Sequence, residues 1–102
     1  MDRHNLWIYS DNLKRHKFLK YEFQKKLLKS IKLNKNASYS QRYYAYYLLV
    51  SKPKLSSVNK LSNRCVSSGR VWSVNRRTNY NRFVFRDEAY KSNIPGCRRA
   101  SW

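Results

Sequence analysis

The chain has 102 residues, with 23 lysines and arginines against 5 acids, a formal net charge of +18. That length allows one domain at most, and self-repulsion at such a charge opposes compaction. These totals exclude a large buried core. They point to a polyanion partner, either a nucleic acid or an anionic membrane.

The first segment, residues 1–35, reads as a basic amphipathic helix. Leu6, Tyr9, Leu13, Lys17, Lys20, Phe23, Leu27, Leu28 and Ile31 follow an imperfect three-to-four spacing. Lysines and arginines surround that stripe on every side. A helix laid against phosphates fits this density, with much of it unfolded until the partner is met. The opening residues hold no apolar stretch of the secretory kind. Asp2 and Asp11 also make a poor mitochondrial presequence. No apolar run approaches the roughly 18 residues of a membrane span.

Asn36-Ala37-Ser38 breaks the helix, and Ser38 with Gln41 forms a capping-box pattern opening a second helix over 36–51. Tyr39, Tyr43, Tyr46, Tyr47 and Val50 form one stripe, read as packing against the first helix or a protein neighbour. Base stacking is its second reading. Pro53 ends this helix, and 52–62 reads as an extended linker.

Residues 63–102 carry the strongest signals. "GRVWSVNRR" alternates briefly, as in a short strand or hairpin arm. Asn81 caps a short helix running to about Lys91. Phe85, Ala89 and Phe83 face inward on it, and Arg82, Arg86 and Lys91 face outward. Ile94-Pro95-Gly96 stops it.

Zinc needs four soft or imidazole ligands in tetrahedral array. The candidates are Cys65, Cys97, His4 and His16, and their spacing is wrong. Cys65 alone leaves three readings open: a ligand, the remnant of one, or a small buried residue. Two cysteines make no disulfide framework. His4 and His16 are twelve apart and turn away from each other on a helix, so a ribonuclease pair is not formed. Asp87 and Glu88 are neighbours and share no helical face. The sequence therefore predicts no enzyme, no cofactor and no small-molecule substrate. Arginines interleaved with aromatics remain: Arg70-Val71-Trp72, Arg76-Arg77, Tyr80, Arg82-Phe83, Arg86, Arg98-Arg99 and Trp102. Arginine forks onto phosphates and stacks on bases, so the pattern predicts nucleic-acid binding, with RNA favoured over DNA because a recognition-helix motif for a DNA groove is missing.

Particular residues carry a resemblance. "NRC" at 63–65, "GR" at 69–70, Arg76 with Arg77, Arg82, "FRDEA" at 85–89 and the end "IPGCRRASW" closely resemble the universal family of small-subunit ribosomal protein fourteen. Upstream, "NAS" at 36–38, Arg42, Ala45, Leu49, Pro53 and "SS" at 56–57 also match. One form of that family binds zinc through two C-x-x-C pairs. Those four places hold Cys65, Ser68, Asn81 and Val84 here, so the chain resembles the zinc-free form. The resemblance implies a mainly α protein with little β: extended N-terminal helices, then a zinc-ribbon-derived C-terminal module without metal. It implies binding to rRNA of the subunit head, in the three-prime major domain, beside small-subunit proteins three, ten and nineteen. Asn63, Arg64, Arg70, Arg76, Arg77, Arg82, Arg86, Arg98, Arg99, Ser101 and Trp102 are then the expected rRNA contacts. The family's usual proline at 71 and glycine at 79 are Val71 and Asn79 here. Asn79 suits a left-handed turn. Heavy use of Asn, Tyr, Lys, Ile and Phe fits an AT-rich genome and a mitochondrial matrix ribosome. A plastid or a bacterial cytoplasm is the alternative. The rival functions are a membrane-active cationic peptide and another basic nucleic-acid-binding protein.

Overall fold

The computed structural model of the chain describes residues 2–102. It is mainly helical: α1 (Arg3–Leu33), α2 (Tyr39–Ser51) and α3 (Arg82–Tyr90), with 3-10 turns at Lys54–Ser56 and Val58–Lys60. Among the described residues there is no strand, only an isolated antiparallel bridge between Val74 and Asn81. The chain divides into two compact units, the first ending at Leu61 and the second spanning Ser62–Trp102.

In the first unit, α1 is 31 residues long, about 46 Å at 1.5 Å per residue. It stops where the Asn34 N–H bonds the Ser30 and Ile31 carbonyls. Asn34 Oδ1 then accepts from the Asn36 N–H at 3.0 Å, a local turn of the kind asparagine favours. The Ser38 hydroxyl accepts the Gln41 N–H and starts α2, as the capping pattern predicts. The two helices form an antiparallel hairpin. Arg42 Nε bonds the Lys32 carbonyl at 3.1 Å, and one end of the pair is further held by Lys32 Nζ over the Tyr46 ring. At the other end Lys52 Nζ bonds Gln24 Oε1 at 3.1 Å.

The packed faces differ from those the apolar spacing predicts. On α1, Ile8, Phe18, Tyr21, Leu28 and Ile31 are at least half-covered, whereas Leu6, Tyr9, Leu13, Phe23 and Leu27 are exposed. Asp11 lies on the covered side, 3% exposed, with Arg15 Nε 2.8 Å from its carboxylate. On α2 the predicted tyrosine stripe is largely uncovered: Tyr39, Tyr43, Tyr46, Tyr47 and Val50 are all exposed, although Tyr46 meets Lys32 of α1. Ala45 faces α1 instead, 2% exposed, flanked by half-buried Arg42, Leu48 and Leu49. A small residue lets two backbones approach, and tyrosine rings on that face would hold them apart. Residues 52–62 are likewise not extended: they wind into the two 3-10 turns, the first packed on α1.

In the second unit, Cys65 is the buried apolar residue, 3% exposed. A chain with so little buried apolar surface relies on its polar network, which is described next.

Candidate nucleic-acid interface

The second unit is held by a hydrogen-bonded knuckle. The Cys65 N–H donates to the Arg70 carbonyl at 2.9 Å, and the Gly69 N–H returns to the Cys65 carbonyl at 3.0 Å. Gly69 sits at φ +72°, a left-handed position that glycine occupies without strain. The Arg64 guanidinium donates to the Gly69 carbonyl at 2.8 Å and braces the knuckle from outside.

The four positions singled out in sequence, Cys65, Ser68, Asn81 and Val84, form one connected chain of hydrogen bonds. The Ser68 N–H donates to Cys65 Sγ at 3.5 Å. Asn81 Nδ2 donates to Ser68 Oγ at 3.1 Å. Asn81 Oδ1 accepts the Val84 N–H at 2.8 Å, capping α3. Asn81 is 3% exposed, yet both ends of its amide are used. Burial pushes the Cys65 thiol up, but hydrogen bonds outweigh it: the Ser68 side chain, then the Ser68, Asn81 and Ser67 backbone. The net result is a thiol lowered to about 7.

A tight turn follows the knuckle. Ser73 stands at φ +58°, and the chain then doubles back through the Val74–Asn81 bridge. Asn75 closes this hairpin, its N–H bonding the Tyr80 carbonyl at 2.9 Å and its carbonyl accepting Asn79 N–H at 2.7 Å. Asn79 takes φ +57°, the left-handed conformation that asparagine tolerates. The expected strand is thus a single bridge, because two left-handed residues curl the backbone out of extended space.

These elements place the predicted contacts. Arg76 and Arg77 sit exposed on the hairpin turn, with the Arg77 N–H tied to Asn75 Oδ1 at 2.9 Å. Arg82 and Arg86 lie one turn apart on the exposed side of α3. Phe85 and Ala89 are half-buried, whereas Phe83 is exposed rather than inward. The tail returns along α3, so Arg86, Arg98 and Arg99 border one open cleft of about 440 Å³ with Phe85 and Tyr90. Asn63, Ser101 and Trp102 are exposed, while Arg64 and Arg70 are half-buried. The Arg70 guanidinium lies 4.9 Å from the Phe83 ring and 5.9 Å from that of Trp72. Trp72 and Phe83 belong to the interleaved pattern of the sequence, but their common contact with Arg70 depends on the hairpin. Among the described residues no group of three or more His, Cys, Asp or Glu side chains could hold a metal ion, and no helix is long and apolar enough to cross a membrane.

The arrangement presents arginines on turns, a helix and a tail. The sequence profile of the ribosomal protein S14p/S29e family matches residues 48–101. The chain belongs to this family. Small ribosomal subunit protein uS14 of Wolbachia pipientis wMel is 40% identical over 93 residues, covering 89% of this chain and 91% of the relative. uS14A of Myxococcus xanthus is 35% identical over 83 residues, 81% of this chain and 82% of its own length. uS14m of Marchantia polymorpha is 32% identical over 95 residues, covering 93% and 96%. Family members are structural constituents, and the chain is not an enzyme.

Proposed function

We propose that the chain is a structural constituent of the small ribosomal subunit. It binds rRNA of the subunit head, in the three-prime major domain, and supports head assembly and translation. The observation that carries this reading is the set of exposed arginines borne by the turns, helix and tail of the second unit. Family membership supplies the ribosomal context.

Residues 63–102 are the rRNA-binding module, with Asn63, Arg64, Arg70, Arg76, Arg77, Arg82, Arg86, Arg98, Arg99, Ser101 and Trp102 as its contacts. The basic helix within 1–35 follows the rRNA surface, and small-subunit head proteins three, ten and nineteen are the protein neighbours. The module derives from a zinc ribbon whose metal is replaced by the Cys65–Ser68–Asn81–Val84 hydrogen bonds. The ribosome is mitochondrial; a mitochondrial relative supports this, and bacterial relatives keep a bacterial source as the alternative.

Binding to small-subunit rRNA tests the proposal. With ten phosphate contacts and a slope of about −0.7 per contact, doubling the salt weakens binding by roughly a hundredfold. A salt-independent complex, or leakage of anionic vesicles without rRNA preference, counts against it. Cosedimentation with small subunits from isolated mitochondria separates the two sources.

A further inference from the structure

We propose that Trp72, with the Arg70–Phe83–Arg82 stack behind it, is a platform for one unpaired RNA base. The inference rests on the rRNA-binding reading and adds a defined base subsite that the interleaved sequence pattern does not specify.

Trp72 is 73% exposed although it belongs to a well-tied segment. Arg70, two residues before it, is anchored through its carbonyl to the Cys65 N–H at 2.9 Å. Ser73, directly after it, holds a left-handed φ of +58°, so the backbone turns sharply at the indole. The Val74–Asn81 bridge then brings the start of α3 alongside. The result is an alternation of ring and cation. Arg70 lies 5.9 Å from the Trp72 ring and 4.9 Å from the Phe83 ring, and Arg82 lies 4.8 Å from that same Phe83 ring. All three distances fall within the reach of a cation–π contact.

Two features decide the ligand class. First, no carboxylate pairs with Arg70 or Arg82 among the described residues, and Arg70 Nε has no hydrogen-bond partner. Ring contacts therefore set the position of the Arg70 guanidinium, while the exposed Arg82 offers positive charge for an anion at the edge of the stack. Secondly, Arg82 also lines an open groove of about 320 Å³ with Ser73, Val74, Asn75, Tyr80 and Phe85. An exposed ring beside unneutralised cations and a groove matches a nucleotide, whose base has a π-face and whose phosphate is negative. A paired base presents no free face, so the platform selects unpaired RNA. A protein partner would have to bring carboxylates to the same place.

The test uses the full chain with small-subunit rRNA, a short single-stranded oligoadenylate and a duplex of equal length. Stacking predicts that oligoadenylate quenches tryptophan emission and that the duplex does not. Trp72→Ala should lower oligoadenylate affinity about tenfold or more with an unchanged salt slope. Trp72→Tyr should keep the affinity while losing part of the quench, which separates stacking from a folding defect. Equal affinity of wild type and Trp72→Ala would overturn the platform, as would loss of affinity through a smaller salt slope. Failure on rRNA with quenching by oligoadenylate would instead overturn the ribosomal reading and leave the platform standing.

Discussion

The side-chain amide of Asn81 donates to the hydroxyl of Ser68 at 3.1 Å, across 13 residues of chain. Its other end caps α3 by accepting the Val84 N–H at 2.8 Å. One buried side chain thus closes the knuckle onto the helix. Asn81→Ala removes both bonds and leaves the Ser68 hydroxyl without that donor. A lost cap costs about 0.5–2 kcal/mol, and because Ser68 is exposed, water can replace the bond its hydroxyl loses. Urea unfolding of the rRNA-free chain, followed by α3 helicity, should register a loss of about 0.5–2 kcal/mol.

If those four positions keep the layout of a ribbon, they will take the metal back. The triple change Ser68→Cys, Asn81→Cys and Val84→Cys, beside native Cys65, should bind one zinc per chain. Metal analysis after dialysis measures this directly. Structural zinc in small domains contributes roughly 10–16 kcal/mol at neutral pH, so the variant should unfold on chelation while the wild type does not. A triple variant that takes up no zinc would contradict derivation from a ribbon.

Cys65 predicts a pH dependence. Its thiol is lowered from 9.0 to about 7 in the fold, so the folded state favours the thiolate relative to the unfolded chain. Stability from this group is fully present above about pH 9 and is lost as pH falls through about 7. Two pH units correspond to at most about 3 kcal/mol. The melting temperature of wild type relative to Cys65→Ser should therefore rise between pH 7 and 9. A flat difference would show that the hydrogen bonds from Ser68 and its neighbours do not hold a thiolate.

The facing of α2 is open to a contrast of two substitutions. Ala45 is buried against α1 at 2% exposure and Tyr47 is exposed. Ala45→Leu overpacks the hairpin and should cost about 1–3 kcal/mol. Tyr47→Gln should stay within about 0.5 kcal/mol in the free chain. Thermal unfolding of both variants gives the comparison, and the reverse order would restore the tyrosine stripe as the packed face.

Local signals were readable from sequence because their partners lie a few residues away. Ser38 with Gln41 and Asn81 with Val84 each satisfy an N–H three residues on. The faces of α1 and α2 were not readable: cations interrupt the apolar stripe of α1, and tyrosines on several sides of α2 leave its faces alike in hydrophobicity. Asp11 and Ala45 mark the true contact, one through an internal partner at Arg15 and the other through small volume. A hydrophobic-spacing argument passes over both. In the candidate interface, composition and family resemblance single out the arginines, and the structure leaves Arg76, Arg77, Arg82, Arg86, Arg98 and Arg99 exposed. The Trp72–Arg70–Phe83 grouping was not legible, because it depends on left-handed Ser73 and one bridge between Val74 and Asn81. The turns over 54–60 were missed because three-residue windings carry almost no periodic signal.

Among the described residues, Ala45 and Cys65 are the buried apolar residues, one in each unit. On the proposed reading, that sparse interior has a cellular consequence. A copy without rRNA opens readily and is a substrate for proteases, whereas a copy on rRNA is held shut by its partner. Supply of the protein is then trimmed to the number of nascent subunits by degradation, and its half-life becomes a gauge of rRNA synthesis.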